Sequence, residues 1–282
     1  MKALTLSLAL SLVLASCGKT TKSNSTNEPV PETSHTTQEE AQPAFTNKGH
    51  ELIYNMTQKV GDYNQLRSKN DVVYTYTYQT PDGKTDIVTE KYIFDGELSY
   101  GKYVQHERTL PEYEGILEQG YDGTEYWMKH NGELVTDAKL LKAVKFNRPT
   151  NFYWFTMMQK LMDDGVIYEH IGEQTIANKN YDVVKISFES DDTVATDIYQ
   201  VYINKETQLI DQFLFTVADF GVIDTPFLMT LAYENIDGIL LPTQRAYKKS
   251  DWNAIVTDQP AIKVTWSDIT FNTNLSTDVF KK

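Results

Sequence analysis

Residues 71–80 read Asp-Val-Val-Tyr-Thr-Tyr-Thr-Tyr-Gln-Thr, with Tyr74, Tyr76 and Tyr78 alternating with Thr75 and Thr77. No other pattern in the chain limits its fold more. Aromatic and β-branched residues at period two form a strand whose two faces meet different surroundings. Pro81-Asp82-Gly83 supplies a turn, and Thr85 to Phe94 reads as the hairpin partner. The same grammar continues through the tight-turn dipeptides Asp95-Gly96, Asp122-Gly123 and Asn131-Gly132.

From Ile167 onward the pattern is a β-meander. Val184, Ile186 and Phe188 share one side of a strand, and Tyr199, Val201 and Ile203 match that face in the next. After a turn at 204–207, Phe213, Phe215 and Val217 alternate with Ile210, Leu214 and Thr216, so this strand is apolar on both faces. Strands over 227–234, 244–249 and 262–271 follow. Helical spacing is confined to three places. Leu52, Ile53, Met56 and Val60 predict a helix over about 47–60 that stops at Gly61. Thr136 or Asp137 predicts the cap of a second, ending near Phe146. Pro149 then predicts a break before a third, over about 151–162. On it Trp154, Met157, Met158 and Leu161 fall at i, i+3, i+4, i+7, with Phe155 and Met162 widening the face. The expected fold class is mainly β with a few helices, one domain over residues 46–282.

The start of the chain is of another kind. Met1-Lys2 precedes an apolar run from Ala3 to Ala15, too short for the roughly 20 residues of a membrane span. Leu14-Ala15-Ser16-Cys17 closes it as a bacterial lipobox, which predicts a signal peptide over 1–16 and lipid attachment at Cys17. Each acyl CH₂ buried in a bilayer contributes about 0.8 kcal/mol, so a diacylated cysteine is a stable anchor. Cys17 is the one cysteine in 282 residues. The folded part therefore has no disulfide or thiol nucleophile and is held by its core alone. Residues 18–44 are rich in Ser, Thr, Asn, Pro and Glu, which predicts a disordered linker over 17–45 with a reach on the order of 30 Å. His35 lies in it. A net charge of −13 repels nucleic acid and disfavours lying flat on anionic lipid.

Residues that carry chemistry are scattered. There is no G-x-S-x-G elbow, no phosphate-cradling glycine loop, no H-E-x-x-H pair and no cofactor motif. His50, His106, His130 and His170 lack ligand spacing and read as surface or capping residues. Asp163-Asp164 and Asp191-Asp192 adjoin turns. Asn178, Asn180 and Asp182 alternate like a calcium loop without its glycine and closing glutamate. Asp224-Thr225-Pro226 lacks the glycine of an aspartic protease turn. The expectation is no catalytic residue and no metal.

Gly238-Ile-Leu-Leu-Pro242, read as an exposed strand, resembles the end of periplasmic lipoprotein carriers and their anchored acceptors, the LolA/LolB-like superfamily. So do Ile262-Lys-Val-Thr-Trp-Ser-Asp-Ile-Thr-Phe-Asn272 and the segment from Leu275 to Phe280. Tyr199-Gln-Val-Tyr-Ile-Asn-Lys-Glu-Thr207 fits that family's strand and turn. The chain from Gly49-His50-Glu51 through Tyr121-Asp122-Gly123 and Trp154 is similar to a group of uncharacterised bacterial lipoproteins of the same fold. The resemblance implies an antiparallel sheet curled into a half-open barrel, plugged by helices and holding acyl chains or other apolar ligands. The N-terminal anchor departs from the soluble carrier, and the acceptor's protruding apolar loop is not located in this sequence.

On this reading Trp154, Met157, Met158 and Leu161 are a candidate lid over a cavity lined by Phe213, Phe215, Phe227 and Met229. The alternative for the helix is that it merely closes the core. Gly18 after the cysteine, in place of aspartate, implies an outer-membrane, periplasm-facing lipoprotein. Its partners would be the membrane and an acyl-chain or other apolar ligand. Two other functions stay open: an interaction module with a packed interior, and a hydrolase whose site is dispersed in sequence.

Overall fold

A computed structural model describes residues 43–190 and 194–282. The expected leader, Cys17, His35, nearly all of the expected linker, and Asp191-Asp192 lie outside the described residues. Residues 44–282 form one compact unit, and Phe45 packs its ring on His50 and Tyr54.

The first meander comprises β1 (Asp71–Gln79), β2 (Thr85–Ile93), β3 (Leu98–His106), β4 (Leu117–Tyr121), β5 (Tyr126–His130) and the two-residue β6 (Glu133–Leu134). The second comprises β7 (Val166–Ile176), β8 (Lys179–Phe188), β9 (Tyr199–Asn204), β10 (Ile210–Val217), β11 (Val222–Ile236), β12 (Ile239–Lys249) and β13 (Ile262–Phe271). All thirteen belong to one antiparallel sheet in the order β6-β5-β4-β3-β2-β1-β13-β12-β11-β10-β9-β8-β7. Its first and last strands in sequence are neighbours in its middle, with Tyr76 opposite Trp266 and Val72 opposite Phe271. The sheet curls without closing, so β6 and β7 are free edges. Both are protected as exposed edges usually are: β6 is short, and β7 carries charged residues and a bulge between His170 and Gly172.

Three helices fill the concave side. Helix α1 (Lys48–Val60) is capped by Asn47, whose side chain accepts from the His50 N–H, and buries Ile53, Met56 and Val60. Helix α2 (Tyr63–Arg67) escapes periodicity because five residues carry too little pattern, yet Asp62 and Gln65 form the capping box that marks it. Helix α3 (Ala138–Lys160) corrects the expectation of two helices broken at Pro149, which sits inside one continuous helix. A proline removes one intrahelical hydrogen bond, here to the Lys145 carbonyl of an exposed residue where water can replace it. The flanking turns are fixed from outside: Arg148 binds Glu90 on β2, and Phe152 and Phe155 enter the core.

Twenty-three residues of α3 span roughly 35 Å at 1.5 Å each, enough to cross the concave face and join three cores. Its start packs Val144 with Val88, Leu117 and Met128. Its middle packs Phe152 and Phe155 with Tyr74, Tyr92 and Trp266. Its end packs Met157, Met158 and Leu161 with α1 and with Val184, Ile186, Val201 and Phe213. The inner faces read from alternation in β8, β9 and β10 are the faces in this last core. Leu214, Tyr202 and Val183 point outward, under Trp252 and Ala254 of the β12–β13 loop. Past the exposed Gly238, the segment Ile239–Pro242 is not exposed: Ile239 and Leu241 are 2% and 1% accessible, because Gly61 lets the end of α1 settle against Ile239.

Candidate functional site

Packing on the concave side is incomplete. Between the Lys145–Trp154 stretch of α3 and the inner faces of β1, β13, β12, β11, β10 and β9 lies a hollow of about 720 Å³, open on one side. Strand alternation builds it. Tyr74, Tyr76 and Tyr78 come from β1, Phe215 from β10, Phe227 and Met229 from β11, Arg245 and Tyr247 from β12, and Ile262, Val264 and Trp266 from β13. The proline turn of α3 supplies the roof, with Trp154 facing Phe215 at 5.4 Å between ring centroids. Phe215 continues into Phe227 at 5.5 Å and Tyr247 at 5.7 Å, an unbroken aromatic wall. At the mouth Phe146 of α3 meets Phe220, edge to face at 4.9 Å.

The lining also carries polar groups, among them Arg108, Lys145, Asp197, Asp219 and Arg245. Burial pushes the Tyr76 and Tyr247 hydroxyls above their ordinary range, so both stay neutral donors; Tyr247 shares a 2.6 Å hydrogen bond with Tyr78. Burial also raises the Asp197 carboxyl, against hydrogen bonds from the Ala218 N–H and the Thr216 hydroxyl. Arg108 lies over Tyr78 at 4.3 Å and 3.8 Å from Asp86. Arg245 differs from all of these. It is 6% exposed, its guanidinium carbon lies 4.1 Å from the Trp266 centroid and 5.9 Å from that of Trp154, and its Nε has no hydrogen-bond partner. Among the described residues no carboxylate lies within 4 Å of it.

Of the residues named from sequence, Trp154, Phe215, Phe227 and Met229 line this hollow. Met157, Met158, Leu161 and Phe213 lie behind the lining, in the core that joins α3 to α1 and the second meander. Met158 there receives the Tyr233 hydroxyl on its sulfur, and the Leu161 carbonyl accepts from Tyr168. Missing from the sequence reading were Arg245, Tyr247 and Trp266, and the role of the three β1 tyrosines. A signal existed: Ile239, Leu241, Thr243, Arg245 and Tyr247 share one face of β12, so an arginine falls on an inward position.

The histidines do not assemble a reactive group. His170 Nε2 lies 3.0 Å from Asp182, which also holds Lys48 at 3.4 Å. His50 stacks on Tyr168 and contacts Thr46. His106 and His130, remote in sequence, reach the adjacent carbonyls of Gly115 and Glu114 in one loop. Among the described residues no three His, Cys, Asp or Glu side chains are placed to hold a metal.

The profile of a family of unknown function, DUF6503, matches residues 128–224, from β5 through α3 to the start of β11. No curated protein matches the sequence. Among solved structures, the chain is similar to a DUF1329 family protein from Desulfovibrio piger, at 14% identity and a TM-score of 0.50, over 83% of this chain and 95% of that one. It is also similar to a LolA superfamily protein from Nitrosomonas europaea, at 11% identity and a TM-score of 0.48, over 83% and 97% of the two chains. The likeness to the Desulfovibrio piger structure extends to the fold alone, and the unclosed, curled antiparallel sheet with packed helices is the mainly β class expected from the sequence.

Proposed function

We propose that this chain is an envelope lipoprotein that holds an apolar or lipid-like ligand in the hollow of its sheet, tethered to the outer membrane through Cys17. The observation that carries the reading is the hollow itself. Its volume falls within the roughly 300–1,000 Å³ of small-molecule sites, and aromatic and aliphatic side chains dominate its lining. Protein interiors pack to crystal-like density, so a space of this size beside three well-filled cores is a feature to be filled by something else. An interaction module would have a solid interior at this place. The lipobox at residues 14–17 supports the tether, and no helix among the described residues is long and apolar enough to cross a membrane.

The experiment is uptake of 1-N-phenylnaphthylamine, whose fluorescence rises in apolar surroundings, by the purified chain with and without Ile262→Trp. Ile262 lines the hollow, half-buried at the start of β13. The wild type should bind saturably, and the larger indole should lower affinity severalfold while the circular dichroism spectrum is unchanged. Equal binding by the two proteins would place the dye elsewhere and remove the support for a ligand in the hollow.

A further inference from the structure

Of the charged residues lining the hollow, Arg245 is the buried one, and an apolar ligand alone leaves it unexplained. A guanidinium carries five donors and stays charged, and burying it without a counterion is among the costlier arrangements in a fold. The other buried arginine among the described residues shows how this protein handles the problem: Arg148 meets Glu90 through two hydrogen bonds at 2.8 and 3.1 Å. Arg245 has no such partner among the described residues. Its neighbours on every side are neutral: Trp154 on α3, Tyr74 and Tyr76 on β1, Trp266 on β13 and Tyr247 on its own strand. Stacking on Trp266 at 4.1 Å compensates part of the lost hydration and leaves the edge of the guanidinium plane free for a planar or tetrahedral anion. Trp266 Nε1, on the ring against which the guanidinium lies, is a second buried donor without a partner.

We propose that Arg245 is an anion-binding subsite, and that the ligand is an amphiphile whose acyl chain lies along the Phe215–Phe227–Tyr247 wall while its carboxylate or phosphate head pairs with this guanidinium. This rests on the hollow being a ligand site and adds the head group to it. Burial lowers the ordinary value of the Arg245 guanidinium, with the surrounding tyrosines opposing, and an entering anion restores the charge balance. An esterified chain, having no charge to offer, gives up that pairing. A bare anion lacks the apolar contacts.

The test compares ligands of one chain length by displacement of 1-N-phenylnaphthylamine from the full chain: oleate, oleyl phosphate, methyl oleate, and inorganic phosphate without a tail. In the wild type, oleate or oleyl phosphate should displace the dye at least about tenfold more tightly than methyl oleate, as expected for a charge-assisted pair out of water. Which of the two wins identifies the head as carboxylate or phosphate. Inorganic phosphate should not displace the dye. Arg245→Met should abolish the preference while keeping methyl oleate affinity. Arg245→Lys, which preserves charge if the methionine variant folds poorly, should retain part of it. Equal affinities for charged and esterified chains in the wild type would overturn the subsite and leave the apolar site standing. Failure of every chain to bind would overturn both.

Discussion

Arg148 on α3 and Glu90 on β2 pair end to end, with neither side chain accessible to solvent. Tyr92 and Asn151 also donate to the same carboxylate, so Glu90 is fully satisfied. Burial by itself would lower the Arg148 guanidinium; Glu90 beside it more than offsets that and holds it above its ordinary value. The pair lies one residue from Pro149 and fixes the turn of α3 that roofs the hollow. Arg148→Met should destabilise the domain by about 3–5 kcal/mol in urea unfolding, because it strands a buried carboxylate. The double variant Arg148→Met/Glu90→Leu should recover most of that loss. A single variant costing under about 1 kcal/mol would mean that water reaches the pair.

Close approach of backbone to this guanidinium is what Gly101 on β3 provides. A Cβ there would lie 2.5 Å from Arg148 Nη1 and 2.9 Å from its Cζ. Since Arg148 is held at both ends of its contact with Glu90, it has nowhere to yield. Gly101→Ala should cost about 1–3 kcal/mol, read by thermal or urea unfolding. Coupling to Arg148→Met should be strong, since the shorter, flexible side chain relieves the clash.

Asp211 makes a pH-dependent contribution far from the hollow. Its carboxylate accepts from Lys179 at 3.0 Å, Tyr181 at 3.0 Å and Asn204 at 2.9 Å. Partial burial would raise its pKa, but these hydrogen bonds outweigh burial and lower it from 3.8. With the folded value below the unfolded one, the unfolded state binds the proton more readily in the interval between them. The stabilisation is complete above the unfolded value and lost as pH falls through the folded value. The stability difference between the wild type and Asp211→Asn should therefore be constant near neutrality and shrink below about pH 4. A difference that persists unchanged through pH 3 would assign the effect to packing instead.

The tether gives its own prediction. Cys17→Ser should move the protein from the membrane pellet to the soluble fraction, followed by immunoblot of fractionated cells; the expected diacyl anchor is the main source of membrane affinity. Continued pelleting of the serine variant would contradict anchoring at Cys17.

Strand identity was legible because it is local. Tyr74, Tyr76 and Tyr78 fix the faces of β1 by alternation, and β13 runs over the same 262–271 that its pattern gives. Helical spacing likewise placed Trp154 on the inner side of its helix. What could not be read is set by non-local packing. Pro149 reads as a break until Glu90, 58 residues away by chain separation from Arg148, holds the helix through it. Which inward residues meet protein and which meet the hollow depends on the diagonal path of α3. So Phe213 and Phe215, two apart on one strand, end up in the core and on the cavity wall respectively. Arg245 was passed over because a charged residue in a strand usually faces water, and its inward position is evident only once the register of β12 between β11 and β13 is known.

The central claim is that the hollow is a ligand site, and the most direct measurement is of its contents. Protein purified gently from the envelope of cells that naturally make it, extracted with organic solvent and examined by mass spectrometry, should release an acyl-chain compound in near-stoichiometric amount. That compound should fall sharply in Ile262→Trp preparations handled identically. An extract from wild-type protein with nothing beyond the acyl groups covalently bound at Cys17 would contradict the account.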